Sequence, residues 1–317
     1  MSTNTIGPLS TIWRALAELA DSWTLLILQR AFLGVRRFAG WRDALGISDS
    51  VLAGRLREMT AAGLLVVRPY RDGGRTRSEY RLTPRGLDLW SLLVAIWWWE
   101  RNWVPREVPL PELWHGEHPC PVTLVCGGCA AEVTARDTVT EQLVPSFAGS
   151  LPRLHPRRSR GALPADPLST FPGASEVIGD RWGTVVIASA LLGARTFAEF
   201  SRELSVSPDV LSDRLRRFVA MDVLAPDDGG YRLTDKGRAT FPIMALVVAW
   251  AERWLGPEGH PSALRITHRD CGAVLGNGTV AMPVARSKTS AVCSSTPMTC
   301  DPAGSEPSSN RRRRSPR

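Results

Sequence analysis

Two copies of one unit lie in this chain, and that repeat constrains the fold more than any other feature. Asp21 and Trp23 return as Asp180 and Trp182, 159 positions later. At the same spacing LGVRRF returns as LGARTF at 192–197, and SDSVLAGRLR returns as SPDVLSDRLR at 207–216. Tyr80-Arg81-Leu82-Thr83 returns as Tyr231-Arg232-Leu233-Thr234 at a spacing of 151, so the second copy has lost eight residues in the segment just before this motif. Trp99 and Trp103 recur as Trp250 and Trp254. A duplication of this extent implies two copies of one small domain in tandem.

What one copy folds into is legible in residues 36–83. Phe38, Trp41 and Leu45 fall at helical spacing, so RRFAGWRDAL reads as a short amphipathic helix that Gly46 closes. Ser48 stands where a hydroxyl can cap a second helix, in which Leu52, Leu56 and Met59 share one face and Gly63 marks the end. Two helices joined by a tight glycine turn form a helix-turn-helix, whose second helix can enter the major groove of DNA. LLVVRPY, RDGGRT and RSEYRLT then read as strand, turn and strand, a hairpin carrying Arg68, Arg71, Arg75 and Arg77. A helix-turn-helix followed by a basic hairpin is a winged helix, with the hairpin placed to reach phosphates or the minor groove. Before this stretch, TIWRALAELA predicts one amphipathic helix and SWTLLILQRAFLG a second, core helix capped by Asp21, with Trp23 a packing residue. After it, Pro84 starts a predicted long helix over 84–104. Its Trp90, Leu93, Trp97 and Trp98 exceed what one small domain buries, which points to a pairing surface.

DSWTLLIL at 21–28, LGVRRFAGWRDALGIS at 33–48, VLAGRLREMTAAGLL at 51–65 and YRLTPRG at 80–86 together resemble the HxlR-type family of bacterial transcriptional regulators. The resemblance implies a winged helix that binds duplex DNA, with terminal helices pairing two such domains, commonly as a dimer on a near-palindrome. Some members carry a redox-sensing thiol near the N-terminus. No Cys precedes Cys120 here, so that mechanism does not carry over.

The residues expected nearest DNA in the first copy are Ser48, Asp49, Ser50, Gly54, Arg55 and Arg57, with Arg68, Arg71, Arg75 and Arg77 on the wing. In the second copy they are Ser207, Arg214, Arg216 and Arg217, on a helix that Ser207 caps and Pro208 begins. That helix also carries Asp209 and Asp213, and the short second wing is PDDGG. Carboxylates facing phosphates repel, so the second copy reads as the weaker DNA reader.

Net charge is +8, which favours an anionic partner, but the tail RRRRSPR alone supplies five Arg and the remainder is only mildly basic. MSTNTIGPLS lacks the basic and apolar regions of a secretory signal, and LWSLLVAIWWW is too short to span a bilayer. The expectation is a soluble cytoplasmic protein with no membrane partner. Six Cys in 317 residues form no disulfide framework. His115-x2-His118 followed by Cys126-x2-Cys129 has the spacing of a tetrahedral zinc knuckle, with a loop of free thiols as the alternative. His268-Arg269-Asp270-Cys271 lies at a similar distance after the second long helix, without a following Cys-x2-Cys pair. No phosphate-binding glycine loop or nucleophile elbow is present, so no enzyme activity is expected.

The expected fold is therefore mainly α with small β-hairpins, two winged helix-turn-helix domains in tandem. Residues 8–104 form the first and 173–256 the second, with a His/Cys extension at 105–140, a flexible linker at 141–172 and an extension with a basic tail at 257–317. The expected partner is double-stranded DNA, bound by a homodimer or by an intramolecular pseudo-dimer. Two other readings stay open: a protein-interaction module that binds no specific DNA, and a metal- or thiol-responsive regulator.

Overall fold

Each copy opens with two helices that build its core. In the first these are α1 (Thr11–Leu19) and α2 (Ser22–Phe32), followed by α3 (Phe38–Leu45) and α4 (Asp49–Ala61). The hairpin of β1 (Leu65–Asp72) and β2 (Arg75–Leu82) comes next, then α5 (Pro84–Leu87) and α6 (Trp90–Trp103). An extension adds β3 (Trp114–His115), β4 (His118–Pro119), β5 (Val125–Cys126), a 3-10 turn at Ala135–Asp137, and β6 (Thr138–Gln142). The second copy repeats the order with α7 (Pro172–Val177), α8 (Arg181–Leu192), α9 (Phe197–Glu203) and α10 (Pro208–Ala220). Its hairpin is β7 (Leu224–Asp227) and β8 (Gly230–Leu233), followed by α11 (Asp235–Arg238), α12 (Phe241–Leu255), β9 (Leu264–His268) and β10 (Val280–Ala281). This computed structural model describes residues 10–115, 118–119, 122–143, 171–204, 206–260, 262–276 and 280–281. Most of the predicted linker and the basic tail lie outside the described residues.

The fold class is as expected, mainly helical with two-stranded antiparallel sheets. Local chemistry explains most boundaries. The Asp21 side chain accepts from Thr24 N at the start of α2, and Asp180 accepts from Gly183 N at the start of α8. Gly46 closes α3 in the left-handed region at φ 59°. Gly73 and Gly74 form the two-residue tip of the first hairpin at φ 54° and 80°, a turn that needs positive φ at both positions. The first hairpin has strands of eight residues and the second has strands of four, which accounts for the eight lost residues.

Two local expectations are corrected. Ser48 and Ser207 occupy the N-cap positions of α4 and α10, but neither side chain accepts a helix N–H. Ser48 Oγ lies 3.5 Å from Ser50 Oγ instead. The predicted continuous helix over 84–104 is interrupted at Asp88 and Leu89, giving α5 and α6. The tertiary cause is visible at Gly86, where an added Cβ would stand 2.2 Å from Leu64 O. The short helix is pressed against the chain entering the hairpin, while Leu89 is fully buried. Gly237 repeats this, 2.1 Å from Val223 O for an added Cβ.

The two copies pack on each other about a local twofold axis, and equivalent residues make reciprocal contacts, as an isologous interface requires. Asp21 and Asp180, equivalents in the repeat, bridge each other antiparallel. Trp99 Nε1 donates to Lys236 O at 3.1 Å, and its equivalent Trp250 Nε1 donates to Arg85 O at 3.1 Å. The guanidinium of Arg85 lies 5.1 Å from the Trp250 ring centroid, and Lys236 Nζ lies 5.7 Å from that of Trp99, within cation–π range. Helices α1, α6 and α12 form the seam, and β6 pairs with β9 across it from Thr138↔His268 to Gln142↔Leu264.

Tryptophans do carry the pairing surface, but the central ones are Trp99 and Trp250, both buried. Trp90 instead packs at a tilt against Phe32 within its own copy, whereas Trp97 does reach the other copy, edge-on against Phe171 at the start of α7. Trp23 is buried, as its packing role requires.

Candidate nucleic-acid interface

The putting of α4 on the surface follows from its neighbours. Leu52, Leu56 and Met59 are buried against the core, so the opposite face is left to solvent. Trp41 holds the preceding helix in place: its ring is fully buried, and its Nε1 donates to Ile27 O at 3.1 Å. Tyr80 packs edge-on against that ring, while its backbone N donates to Arg36 O at 2.8 Å and ties the wing to the helix-turn-helix. Phe200, Tyr231 and Arg195 repeat these contacts in the second copy.

On the exposed face lie Ser48, Asp49, Ser50 and Arg57, with Gly54 half-buried between them. A Cβ added at Gly54 would meet nothing within 4 Å, so no packing contact accounts for a glycine there. Arg68, Arg71, Arg75 and Arg77 are exposed along the hairpin, and Arg77 lies 3.5 Å from Asp72 at its tip. Among the described residues Arg57, Arg68, Arg71 and Arg75 form no ion pair.

Arg55 is placed differently. Its side chain is only 17% exposed, and it bridges Asp21 at 2.8 Å and Glu58 at 2.6 Å. The guanidinium that the sequence pattern put toward DNA is thus held between α4 and the N-terminus of α2. Arg214, its equivalent, is 19% exposed and bridges Asp180 at 2.8 Å.

The second copy differs on its outer face as well. Asp213 replaces Gly54 in the repeat. Its carboxylate lies 2.9 Å from Arg217, 3.6 Å from Arg216 and 3.7 Å from Arg214. Arg217 also reaches Glu176 at 3.2 Å. Ser207 is exposed, and Asp227 and Asp228 are exposed at the short wing's tip.

Two of the expected ligands meet partners from the other extension. Cys126 and Cys129 meet His268 and Cys271, 142 residues away, with all four donor atoms within 4.8 Å of one another. His115 and His118 pair in the β3–β4 hairpin, and their side chains lie outside the described residues. The Cys126 thiol is buried, which alone would raise its pKa, but backbone N–H groups of Cys129 and Gly128 outweigh this and hold it at about 7. Sequence spacing pointed to the near histidines because they were adjacent. The signal for His268 and Cys271 was the repeat, in which Cys126-x2-Cys129 aligns with His268-x2-Cys271.

The chain is similar to helix-turn-helix transcriptional regulators. An uncharacterized HTH-type transcriptional regulator of Mycobacterium tuberculosis, Rv3095, is 41% identical over 145 residues, covering 44% of this chain and 90% of that protein. YvaP of Bacillus subtilis, also an uncharacterized HTH-type transcriptional regulator, is 34% identical over 95 residues, covering 27% of this chain and 88% of that protein. The crystal structure of PA1607, a candidate transcription factor, matches with 32% identity and a TM-score of 0.36, covering 39% of this chain and 88% of that one. The HxlR-like helix-turn-helix family matches residues 18–108 and again 177–259, together more than half of the length. With one match per copy, the chain belongs to the HxlR-like helix-turn-helix family, in a tandem two-copy form.

Proposed function

We propose that the protein is a transcriptional regulator that binds duplex DNA mainly through its first copy, with α4 in the major groove and the β1–β2 wing on the backbone. One observation carries this reading: exposed Arg57, Arg68, Arg71 and Arg75 stand without ion pairs among the described residues, whereas Arg216 and Arg217 are paired with carboxylates of their own copy. An arginine already held by a carboxylate gains little from a phosphate, because the first partner must be given up. Ser48, whose hydroxyl caps no helix N–H, and the exposed Ser50 suit phosphate contact at the start of α4. Gly54 leaves the helix backbone open to close approach by DNA. Arg55 and Arg214 take a supporting role, fixing their recognition helices to α2 and α8.

A salt titration of DNA binding tests the ranking of the two copies. Each phosphate contact contributes about one unit to the slope of log affinity against log salt. Arg71→Ala with Arg75→Ala should weaken binding to every sequence and flatten that slope by roughly two units. Arg57→Ala should lower discrimination between operator and nonspecific DNA. Asp227→Ala with Asp228→Ala should leave affinity unchanged or raise it. Equal losses in the arginine and aspartate variants would make the second copy a full reader and defeat the proposed asymmetry. Absence of any salt-dependent DNA binding would favour a protein-interaction module.

A further inference from the structure

We propose that Cys126, Cys129, His268 and Cys271 form a structural zinc site that clasps the two halves of the chain together. The four donors converge: Cys126 Sγ lies 3.5 Å from Cys271 Sγ, and His268 Nδ1 lies 3.4 Å from Cys129 Sγ and 3.2 Å from Cys271 Sγ. A tetrahedral Zn2+ with its usual bond lengths to sulfur and nitrogen sets its ligands about 3.5–3.8 Å apart, close to these separations. Three thiols and one imidazole make a closed four-ligand set of soft and borderline donors, which suits zinc and leaves no position for a substrate. A disulfide would use two of the three sulfurs and leave the third thiol and the imidazole facing it without purpose.

The backbone is built for the site twice. Cys126 N donates to Ala131 O, Ala130 N to Cys126 O, and Val133 N to Leu124 O. His268 N donates to Ala273 O, Gly272 N to His268 O, and Leu275 N to Ile266 O, each 142 residues after its counterpart. Ala130 at φ 58° and Gly272 at φ 71° occupy the same left-handed position of the two knuckles. Gly128 N also points at Cys126 Sγ at 3.4 Å, as expected of a donor to a thiolate ligand. The two knuckles press so closely that a Cβ at Gly128 would stand 2.7 Å from the Ala273 Cβ. His268 is 1% exposed, so its imidazole is fixed by the packing around it.

Each copy's extension thus supplies half of the site, beside the β6–β9 pairing that crosses between copies. Zinc bound there would fix the relative position of the two winged helices independently of whether they bind DNA.

The test is metal analysis of the full-length protein purified without added metal or chelator. About one zinc per chain is expected, with Cys126, Cys129 and Cys271 resisting thiol-reactive reagents until a strong chelator is added. Cobalt substitution should give the absorption of a tetrahedral thiolate site. Cys271→Ser and His268→Ala should each lose the metal, while His115→Ala with His118→Ala should retain it. Should a ligand variant fail to fold, the wild-type zinc content and thiol protection still decide the matter. Wild-type protein without zinc and with all three thiols reactive, or with Cys126 and Cys271 joined as a disulfide, would overturn the proposal. So would a Cys271→Ser protein that holds as much zinc as wild type.

Discussion

Glu100 shows how a single side chain joins the two copies. It is fully buried at the end of α6, accepting from Gly173 N at 3.3 Å and Ala174 N at 2.7 Å, with Arg106 at 3.1 Å. It therefore satisfies the first N–H groups of α7, which belongs to the other copy. Glu252, one position beyond the repeat equivalent of Glu100, reaches α1 from α12 and accepts from Thr11 Oγ1 at 2.6 Å. Burial raises the Glu100 carboxyl above the ordinary carboxylate range, and the N–H donors and Arg106 offset this only in part. The folded protein consequently holds this proton more tightly than the unfolded chain does. The stability linked to it is fully present below the unfolded value and is lost as pH rises through the folded one. Glu100→Gln keeps the shape without the titration. Its melting temperature relative to wild type should therefore move upward between pH 4 and pH 7, as read by thermal unfolding at several pH values. A shift in the opposite direction would mean that the hydrogen bonds to the carboxylate outweigh its burial.

At the level of elements, two glycines make opposite demands. Gly54 sits inside α4 with open space where a Cβ would be, so Gly54→Ala should raise stability by about 1 kcal/mol through helix propensity. If the backbone there meets DNA, the same change should weaken DNA binding. Gly86 sits against Leu64 O, so Gly86→Ala should lower stability by roughly 1–3 kcal/mol through overpacking. Denaturant melts of the two variants beside wild type give both signs at once. A stabilised Gly54→Ala protein with unaltered DNA affinity would remove the argument for close approach at that position. The helix boundaries of the recognition elements were readable because turn glycines and apolar spacing act within a few positions. The break between α5 and α6 was not, because it comes from a carbonyl more than twenty residues earlier in the chain.

For the whole molecule, the reciprocal contacts of Trp99 with Lys236 and Trp250 with Arg85 place a pairing surface between the two copies inside one chain. Burying a large aromatic side chain stabilises by about 1.5–3 kcal/mol, so this seam holds strongly without a second molecule. The protein should accordingly be a monomer by light scattering, while covering two half-sites with centres about one helical turn, roughly 34 Å, apart. Its footprint should be asymmetric, deeper over the half-site of the first copy. A stable homodimer at micromolar concentration would show that further pairing surface remains exposed, and a symmetric footprint would argue against the ranking of the two readers.

What the amino-acid order determined alone was the repeat, the helix-turn-helix, the hairpin with its arginines and the shortening of the second wing. These rest on apolar periodicity, turn glycines and local charge, which act between residues close in the chain. Arg55 at an exposed-looking helical position already exceeded that reach, since its partner Asp21 caps a different helix. The joining of Cys126 and Cys129 with His268 and Cys271 exceeded it further. Nothing local in either knuckle specifies the other. They meet because the twofold packing of α1, α6 and α12 brings β6 beside β9, and that packing is a balance of buried area that only the folded chain settles.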